Sequence, residues 1–216
     1  MVCGTSKAMV IGVLALQGAF IEHVNKLTAL GASTIELRNK ADLLKPFDGL
    51  ILPGGESTVI GKLLKDLDML ETLRDRINQG LPVFGTCAGM ILLAKTIANS
   101  PEQHLATMDI AVLRNAYGRQ LGSFKTVSTF GDVGHVPMTF IRAPYIESVS
   151  QSVQVMSTVN GHIVAAQQGN QLVTSFHSEL TDDPSIHRYF LKLVHLHQNN
   201  GTTSFKVAPL LINSII

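Results

Sequence analysis

A lone cysteine between two glycines is the residue of this sequence best suited to nucleophilic chemistry. Cys87 stands in the pentapeptide G-T-C-A-G, with Gly85 two residues before it and Gly89 two residues after it. The pattern has the form of the G-x-S-x-G elbow, in which a strained turn between a strand and a helix exposes the nucleophile. The helix N-terminus would favour the thiolate, and the backbone N–H of Ala88 would face a developing oxyanion. The other interpretation is a buried structural cysteine in a tight turn.

A histidine and a glutamate two residues apart offer a base and a group to orient it. His177 and Glu179 occur in the segment LVTSFHSEL. If residues 172–180 are extended, alternate side chains share a face, so the imidazole lies beside the carboxylate. A cysteine nucleophile needs such a base and orienting group. The alternative is a strand end that carries two solvated polar side chains. Surface positions are expected for five other histidines: His23, His104, His135, His162 and His187.

A glycine pair supplies a third candidate element in the segment LPGGEST, residues 52–58. Gly54 and Gly55 end a predicted strand, and their free N–H groups can line an anion or oxyanion site. Glu56 and Ser57 add a carboxylate and a hydroxyl, which suit the ammonium and carboxylate of an amino acid. The alternative is an ordinary turn between a strand and a helix.

Composition excludes several classes of protein. The chain has 216 residues, of which 45% are hydrophobic and 15% charged, so it can bury a sizeable core. The net charge is +1 without a basic cluster, and no run is apolar enough for a membrane span, so neither nucleic acid nor membrane is an expected partner. Two cysteines, Cys3 and Cys87, indicate a reducing compartment, for which we predict the cytoplasm. No histidine, cysteine or carboxylate cluster has metal-site spacing, so no metal is expected.

Strands and helices alternate in the first half of the predicted fold. Buried strands are predicted at 9–16, 33–39, 47–55 and 81–85, and helices at 19–32, 58–80 and 88–97. Ser57 or Thr58 is the expected cap of the second helix. This alternation predicts a parallel sheet with helices on both faces. The carboxyl ends of its strands gather in one crevice, where Cys87, the glycine pair and His177 would converge.

The pattern changes at about Asp109, where short alternating stretches predict antiparallel strands. Hairpin turns are predicted within 159–164 and 167–173, and a capped helix closes the pattern at 183–197. The predicted fold class is therefore α/β, a doubly wound, mostly parallel sheet with an antiparallel C-terminal portion. We predict one domain over 1–198 and a tail over 199–216.

Six motifs in register resemble one family. LPGGEST, GTCAGM and FHSEL, in this order, resemble the class I (triad) glutamine amidotransferases. VLALQGAFIEH, RNAYGRQLGSF and FIRAPYI narrow the resemblance to the PdxT/SNO family, the glutaminase subunits of pyridoxal 5′-phosphate synthase. The resemblance extends from about Val10 to about Val194.

The resemblance implies a chemistry and a set of binding residues. Cys87 would attack the side-chain amide of L-glutamine, and His177, oriented by Glu179, would move the protons through a glutamyl thioester. Gly54, Gly55 and Ala88 would stabilise the oxyanion. Glutamine would be held by Gly55, Glu56, Ser57, Arg114, Ile141 and Arg142. Without the resemblance, both arginines would be assigned to surface or sheet-edge salt bridges.

The resemblance also implies a partner. The ammonia would pass to a (β/α)₈-barrel synthase subunit, within a large hetero-oligomer, which makes pyridoxal 5′-phosphate from ribose 5-phosphate and glyceraldehyde 3-phosphate. The glutaminase subunit itself would need no cofactor.

Two departures leave alternatives open. The family usually has F-H-P-E-L, whereas Ser178 replaces the proline here, and the segment beyond about His197 has no family counterpart. The alternatives are a glutaminase subunit of another synthase, such as that of the imidazole glycerol phosphate or anthranilate pathway, a cysteine hydrolase on a similar sheet, and a non-catalytic scaffold. The LQGAF and IRAPYI segments argue against another synthase, and the complete triad argues against a scaffold.

Overall fold

The computed structural model describes residues 8–98, 100–114 and 123–199. These residues form strands β1–β12, which span Val10–Leu14, Ser33–Leu37, Gly49–Leu52, Val83–Thr86, Ala94–Ile97, Met108–Leu113, Ser123–Phe130, Gly134–Ile141, Tyr145–Val149, Gln154–Val159, His162–Gln168 and Gln171–Thr174. The α-helices α1–α5 span Phe20–Ala29, Ser57–Asp66, Leu70–Asn78, Ala88–Leu93 and Ser185–Asn199. The predicted tail, apart from Asn199, lies outside the described residues.

One large sheet carries most of the strands. Its order is β2-β1-β3-β4-β12-β11-β9-β6-β5, with β10 paired to β11, while β7 and β8 form a separate antiparallel hairpin. Strands β2, β1, β3, β4 and β12 are mutually parallel, whereas β11 is antiparallel to β12 and β9. The predicted fold class, a mostly parallel sheet with an antiparallel C-terminal portion, is confirmed.

Helices cover both faces of the sheet because the parallel strands are apolar on both sides. In β3, Leu50 and Leu52 join a core that also contains Ile60 and Leu64 of α2. Ile51, between them, faces a second core with Leu27 of α1 and side chains of α5. Alternate residues of one strand therefore contribute to different cores.

Two predictions for the first half were wrong in detail. α2 begins at Ser57 with Glu56 as its N-cap residue, and no side chain caps it, so neither Ser57 nor Thr58 is the cap. The helix predicted over 88–97 ends at Leu93, and Ala94–Ile97 forms β5. Ala94, Thr96 and Ile97 pair in parallel with β6, so sheet pairing overrides the local helical pattern.

The helix predicted over 58–80 is divided into two helices, α2 and α3. Asp68, between them, has a φ of 53°. Both predicted hairpin turns are present. Asn160 and Gly161 join β10 to β11 with positive φ values of 51° and 79°, and Gly169 has a φ of 55° between β11 and β12. Within the described residues, no helix is long and apolar enough to cross a membrane.

Candidate active site

Cys87 lies at a strained turn between β4 and α4. Its φ is 49° and its ψ −98°, and its N–H donates a 2.7 Å hydrogen bond to the carbonyl of Thr174 in β12. Non-glycine residues rarely have positive φ, and such strain persists only where the surrounding structure enforces it. Ala88 begins α4, so its N–H has no partner within the helix.

The glycines of the pentapeptide are required by close contacts between segments. A Cβ on Gly85 would lie 2.6 Å from the carbonyl carbon of Gly89. A Cβ on Gly89 would lie 2.1 Å from the carbonyl oxygen of Leu52 in β3. The two glycines therefore let α4 start directly against β3 and β4, which sets the position of the thiol.

His177 reaches the same edge of the sheet from β12. Because β12 is parallel to β4, with Thr174 opposite Thr86, the segments after both strands emerge side by side. The backbone N–H of His177 donates to the carbonyl of Thr139, 2.8 Å away. Its Nδ1 donates to Oε1 of Glu179 at 2.6 Å, and both side chains are buried.

The contact between His177 and Glu179 arises in a different conformation from the one predicted. Residues 172–180 are not extended throughout, since β12 ends at Thr174 and Ser178–Leu180 forms a 3-10 helix. This 3-10 turn brings the carboxylate of Glu179 back into contact with the imidazole of His177. The predicted proximity is present, but the shared face of a strand is not its cause.

Charge interactions at this pair oppose the cost of burial. Burial disfavours the protonated form of His177, yet its hydrogen bonds with Cys87 and Glu179 raise the pKa of the imidazole to about 10. Burial likewise opposes ionisation of Glu179, but the nearby His23 and His177 hold the pKa of the carboxyl below its usual value. The pair is thus arranged as an imidazolium beside a carboxylate.

The glycine pair forms a second wall beside the imidazole. A Cβ on Gly54 would lie 2.3 Å from Cε1 of His177, so only glycine permits this approach. The carbonyl of Gly54 accepts a 3.0 Å hydrogen bond from the N–H of Ala19. Oε1 of Gln17 accepts from the N–H of Glu56 at 2.8 Å. The turn after β1 is therefore fastened to the turn after β3.

A cavity of about 490 Å³ opens at this edge. Most of the predicted site residues line it: Gly54, Gly55, Glu56, Ser57, Cys87, Arg114, Ile141, Arg142 and His177. Ala88 and Glu179 do not line the cavity. Glu179 is nevertheless in contact with His177, and Ala88 follows Cys87 directly. The volume suits a small-molecule ligand.

The two arginines meet the cavity in different ways. Nη1 of Arg114 donates to Oε2 of Glu102 at 3.1 Å and to Oγ1 of Thr58 at 3.2 Å. The salt bridge considered as an alternative for Arg114 is thus present, and its side chain lines the cavity as well. Arg142 follows β8 with a φ of 44°, an uncommon backbone conformation for a non-glycine residue.

The prediction that His23, His104 and His187 lie at the surface was wrong. All three are buried, and Nε2 of His23 lies 3.6 Å from Oε2 of Glu179. Helical periodicity carries the missing signal, because His23 follows Phe20 by three residues and precedes Leu27 by four, on the buried stripe of α1. Histidine on such a stripe belongs to the core.

No group of three or more histidine, cysteine, aspartate or glutamate side chains is placed to hold a metal ion in the part of the chain that the structure describes. The chemistry available at this edge is therefore built from a thiol, an imidazole, carboxylates and backbone amides. Such a set is suited to acyl transfer through a covalent intermediate.

Comparison with known proteins places this chain in a family. The model of the SNO glutamine amidotransferase family matches residues 13–196. The chain is 58% identical over 188 residues to pyridoxal 5′-phosphate synthase subunit PdxT of Streptococcus pneumoniae strain CGSP14, covering 86% of this chain and 97% of that protein. Identity to the subunit of the same name from Haemophilus influenzae strain PittEE is 57%, covering 86% and 98%.

A solved structure agrees with the sequence match. A crystal structure of a glutamine amidotransferase superposes with a TM-score of 0.82 at 44% identity, covering 86% of this chain and 98% of that one. The family match covers most of the chain, including β12 and the segment that bears His177 and Glu179. The chain therefore belongs to the SNO glutamine amidotransferase family.

Proposed function

We propose that this chain is the glutaminase subunit of a pyridoxal 5′-phosphate synthase, which hydrolyses L-glutamine to L-glutamate and ammonia. The observation that carries the proposal is the position of His177, which hydrogen-bonds Glu179 and lines the same cavity as Cys87. High identity to two PdxT subunits supports the choice of synthase.

The proposed reaction begins with the thiolate of Cys87, whose proton His177 has taken. The sulfur attacks the side-chain amide carbon of glutamine, and the resulting oxyanion is held by N–H groups of the Gly54–Gly55 pair and of Ala88. The imidazolium then protonates the leaving nitrogen, and ammonia departs as a glutamyl thioester forms. Water, deprotonated by the same imidazole, hydrolyses the thioester and releases glutamate.

Glu179 takes no proton in this scheme. Its carboxylate accepts from Nδ1 of His177, which leaves Nε2 as the nitrogen that exchanges protons with the sulfur and the leaving group. The buried negative charge also stabilises the imidazolium formed in the first step.

Charged groups around the cavity complement the two ends of a free amino acid. We assign Glu56 to the ammonium group and the arginines, Arg114 and Arg142, to the carboxylate, with Gly55, Ser57 and Ile141 completing the pocket. Binding of the substrate carboxylate would compete with Glu102 for the guanidinium of Arg114. The contacts with Glu102 and Thr58 give Arg114 a defined position before glutamine arrives.

The proposed partner is a (β/α)₈-barrel synthase subunit that receives the ammonia within a hetero-oligomer. We expect the isolated chain to be a poor glutaminase. The carbonyl of Gly54 is held by Ala19, so the Gly54–Gly55 peptide cannot turn its N–H to a new direction until that hydrogen bond breaks. A partner that contacts the Gln17 turn would therefore affect an oxyanion donor, which is worth roughly 10²–10³ in turnover.

Glutamate release, with and without a saturating synthase subunit, tests the proposal. We expect activity that rises with the synthase, is abolished by Cys87→Ala and is lost after treatment with a glutamine analogue such as diazo-oxo-norleucine. Loss of the nucleophile should cost on the order of 10⁶ in kcat. Near-wild-type glutamate release by the alanine variant would refute the role of Cys87, and thiol-dependent hydrolysis of esters or peptides without glutaminase activity would favour the cysteine hydrolase alternative.

A further inference from the structure

A second polar cluster lies behind the proposed triad, on the side away from the cavity. His23 of α1 is fully buried, and its Nε2 lies 3.1 Å from Oγ1 of Thr86 and 3.6 Å from Oε2 of Glu179. Its Nδ1 lies 2.9 Å from Nε2 of His187 in α5, which is also fully buried. Oε2 of Glu179 has no hydrogen-bond partner among the described residues, so His23 presents the nearby ring nitrogen to it.

The hydrogen-bond network assigns the tautomers of the two histidines. If Nδ1 of His23 carried the proton, its Nε2 lone pair would face a carboxylate oxygen. His187 would then be left with a buried, unpartnered N–H, because its Nδ1 has no hydrogen-bond partner among the described residues. With the proton on Nε2 of His23, both problems disappear, since His187 donates to Nδ1 of His23 and keeps only an unused lone pair.

The same helix holds the turn that bears Glu179 at a second place. Lys26, three residues after His23 on one face of α1, donates to the backbone carbonyls of Thr181 and Asp183. α1 therefore contacts the segment just after the 3-10 helix through its backbone and Glu179 through its side chain.

We propose that His23 is a positioning residue for the glutaminase reaction: its Nε2–H, which lies 3.1 Å from Oγ1 of Thr86, also faces the outer oxygen of Glu179 at 3.6 Å and holds the carboxylate against His177. This inference rests on the proposed function of the triad and extends it. His23 does not line the cavity, so it acts through its neighbours. Of these, Glu179 is the one that hydrogen-bonds His177. Without it, the outer oxygen of Glu179 would lose the N–H dipole that faces it, and the carboxylate would be free to rotate away from the imidazole.

The electrostatic surroundings of His23 favour this role at neutral pH. Burial lowers the pKa of His23, against the opposing attraction of Glu179, so the ring is neutral and serves as a fixed N–H dipole. The other ionisable groups that act on it are His177 and Glu22. A neutral ring does not compete with His177 for the proton of the catalytic pair.

Comparison of His23→Gln with His23→Asn tests whether the position of the N–H group matters, or only the presence of a polar side chain. The amide nitrogen of glutamine can reach the place of the ring Nε2, whereas that of asparagine corresponds to Nδ1 and faces His187. We expect His23→Asn and His23→Leu to lower kcat by about 10–100-fold with little change in KM, the range seen for outer partners of metal-bound imidazoles. His23→Gln should restore most of the lost kcat.

Proton NMR of His177 provides a readout that does not depend on turnover. The proton shared between Nδ1 of His177 and Glu179 should resonate far downfield in the wild type and in His23→Gln, and should move upfield in His23→Asn. Melting temperatures of the asparagine and glutamine variants control for stability. Equal kcat and equal shifts in those two variants would overturn the inference, as would an unchanged downfield proton in His23→Leu. If the wild type released no glutamate, the proposed function would fail while the shifts still tested the positioning role.

Discussion

The imidazole of His177 and the carboxylate of Glu179 meet at 2.6 Å across a single intervening residue, where a strand has already given way to a 3-10 turn. The geometry of the pair therefore depends on the backbone at Ser178 more than on sheet pairing. Changes at the pair and at Ser178 should separate the chemical contribution of the side chains from that of the turn.

Replacement of Glu179 should be less damaging than replacement of His177. Glu179→Gln removes the charge that orients the imidazole, whereas His177→Ala removes the group that moves the proton. By comparison with other catalytic triads, we expect kcat to fall by about 10⁴ for the first variant and about 10⁶ for the second. Glutamate release at saturating glutamine measures both, and wild-type activity in Glu179→Gln would remove Glu179 from the triad.

Ser178→Pro should stabilise the protein. Ser178 is buried, its hydroxyl has no hydrogen-bond partner among the described residues, and it opens the 3-10 helix, a position that suits proline. Ser178→Ala should raise the free energy of unfolding by about 1 kcal/mol because it removes an unsatisfied hydroxyl. Ser178→Pro should raise the free energy of unfolding by a further amount of about 0.4–1 kcal/mol, because the ring restricts the unfolded chain. Urea denaturation compares the three proteins, and a proline variant less stable than the alanine variant would show that the turn does not accept the ring.

Cys87→Ala should lower the pKa of His177. The wild-type value of about 10 depends in part on the hydrogen bond and charge of Cys87, which the variant lacks. In the wild type, the pKa of His177 in the folded state exceeds its unfolded value of 6.5, so protonation of His177 adds to the free energy of unfolding. This added stability is fully present below pH 6.5 and is lost as the pH rises towards 10. NMR titration of the Cε1 proton measures the midpoint, with the exposed His135 as an internal reference. An unchanged midpoint in the variant would contradict the coupling.

Acid should destabilise the protein through its buried histidines. Burial, with His23 and Lys26 nearby, lowers the pKa of His187 to about 2. Below pH 6.5 the unfolded chain binds a proton that the folded chain excludes. The free energy of unfolding therefore decreases as the pH is lowered, by up to about 1.4 kcal/mol per pH unit for each such histidine. Urea denaturation at pH 7, 6 and 5 should show a shallower slope for His187→Gln, which keeps a donor for His23. An unchanged slope in His187→Gln would refute the prediction.

Removal of the residues after Asn199 should leave glutaminase activity and stability nearly unchanged. We propose that the glutaminase domain covers residues 1–198, since the family match ends at residue 196 and α5 at Asn199. The truncated chain should match the full chain in melting temperature and in glutamate release with the synthase. A fall of more than a few degrees would assign the segment 199–216 a part in the fold.

Local sequence patterns predicted the elements whose causes are local. Apolar runs located the parallel strands, and Asn160 with Gly161 located a hairpin, because both depend on neighbouring residues alone. The strain at Cys87 was also foreseeable, since Gly85 and Gly89 have no purpose in a relaxed turn. These features needed no knowledge of distant contacts.

The errors occurred where distant contacts decide the structure. Ala94–Ile97 reads as the end of a helix until β6 is available to pair with it. The contact of His23 with Glu179 was likewise out of reach, since it forms only when the distant turn packs against α1, although the burial of His23 could have been predicted from its place on the apolar stripe of that helix. The cap of α2 was wrong for a different reason: the helix begins at Ser57 itself, so Glu56 takes the N-cap position.

The central place of β12 in the sheet has a consequence for synthesis of the chain. β12 pairs with β4 although it leaves the ribosome much later, after the other strands of the described residues. Such a non-local pairing must overcome a large loop-closure entropy and forms slowly. A nascent chain therefore carries the thiol of Cys87 long before it carries His177, the base of the proposed mechanism. In that mechanism the thiol has no base until β12 is in place, so ammonia can be released only by the complete domain.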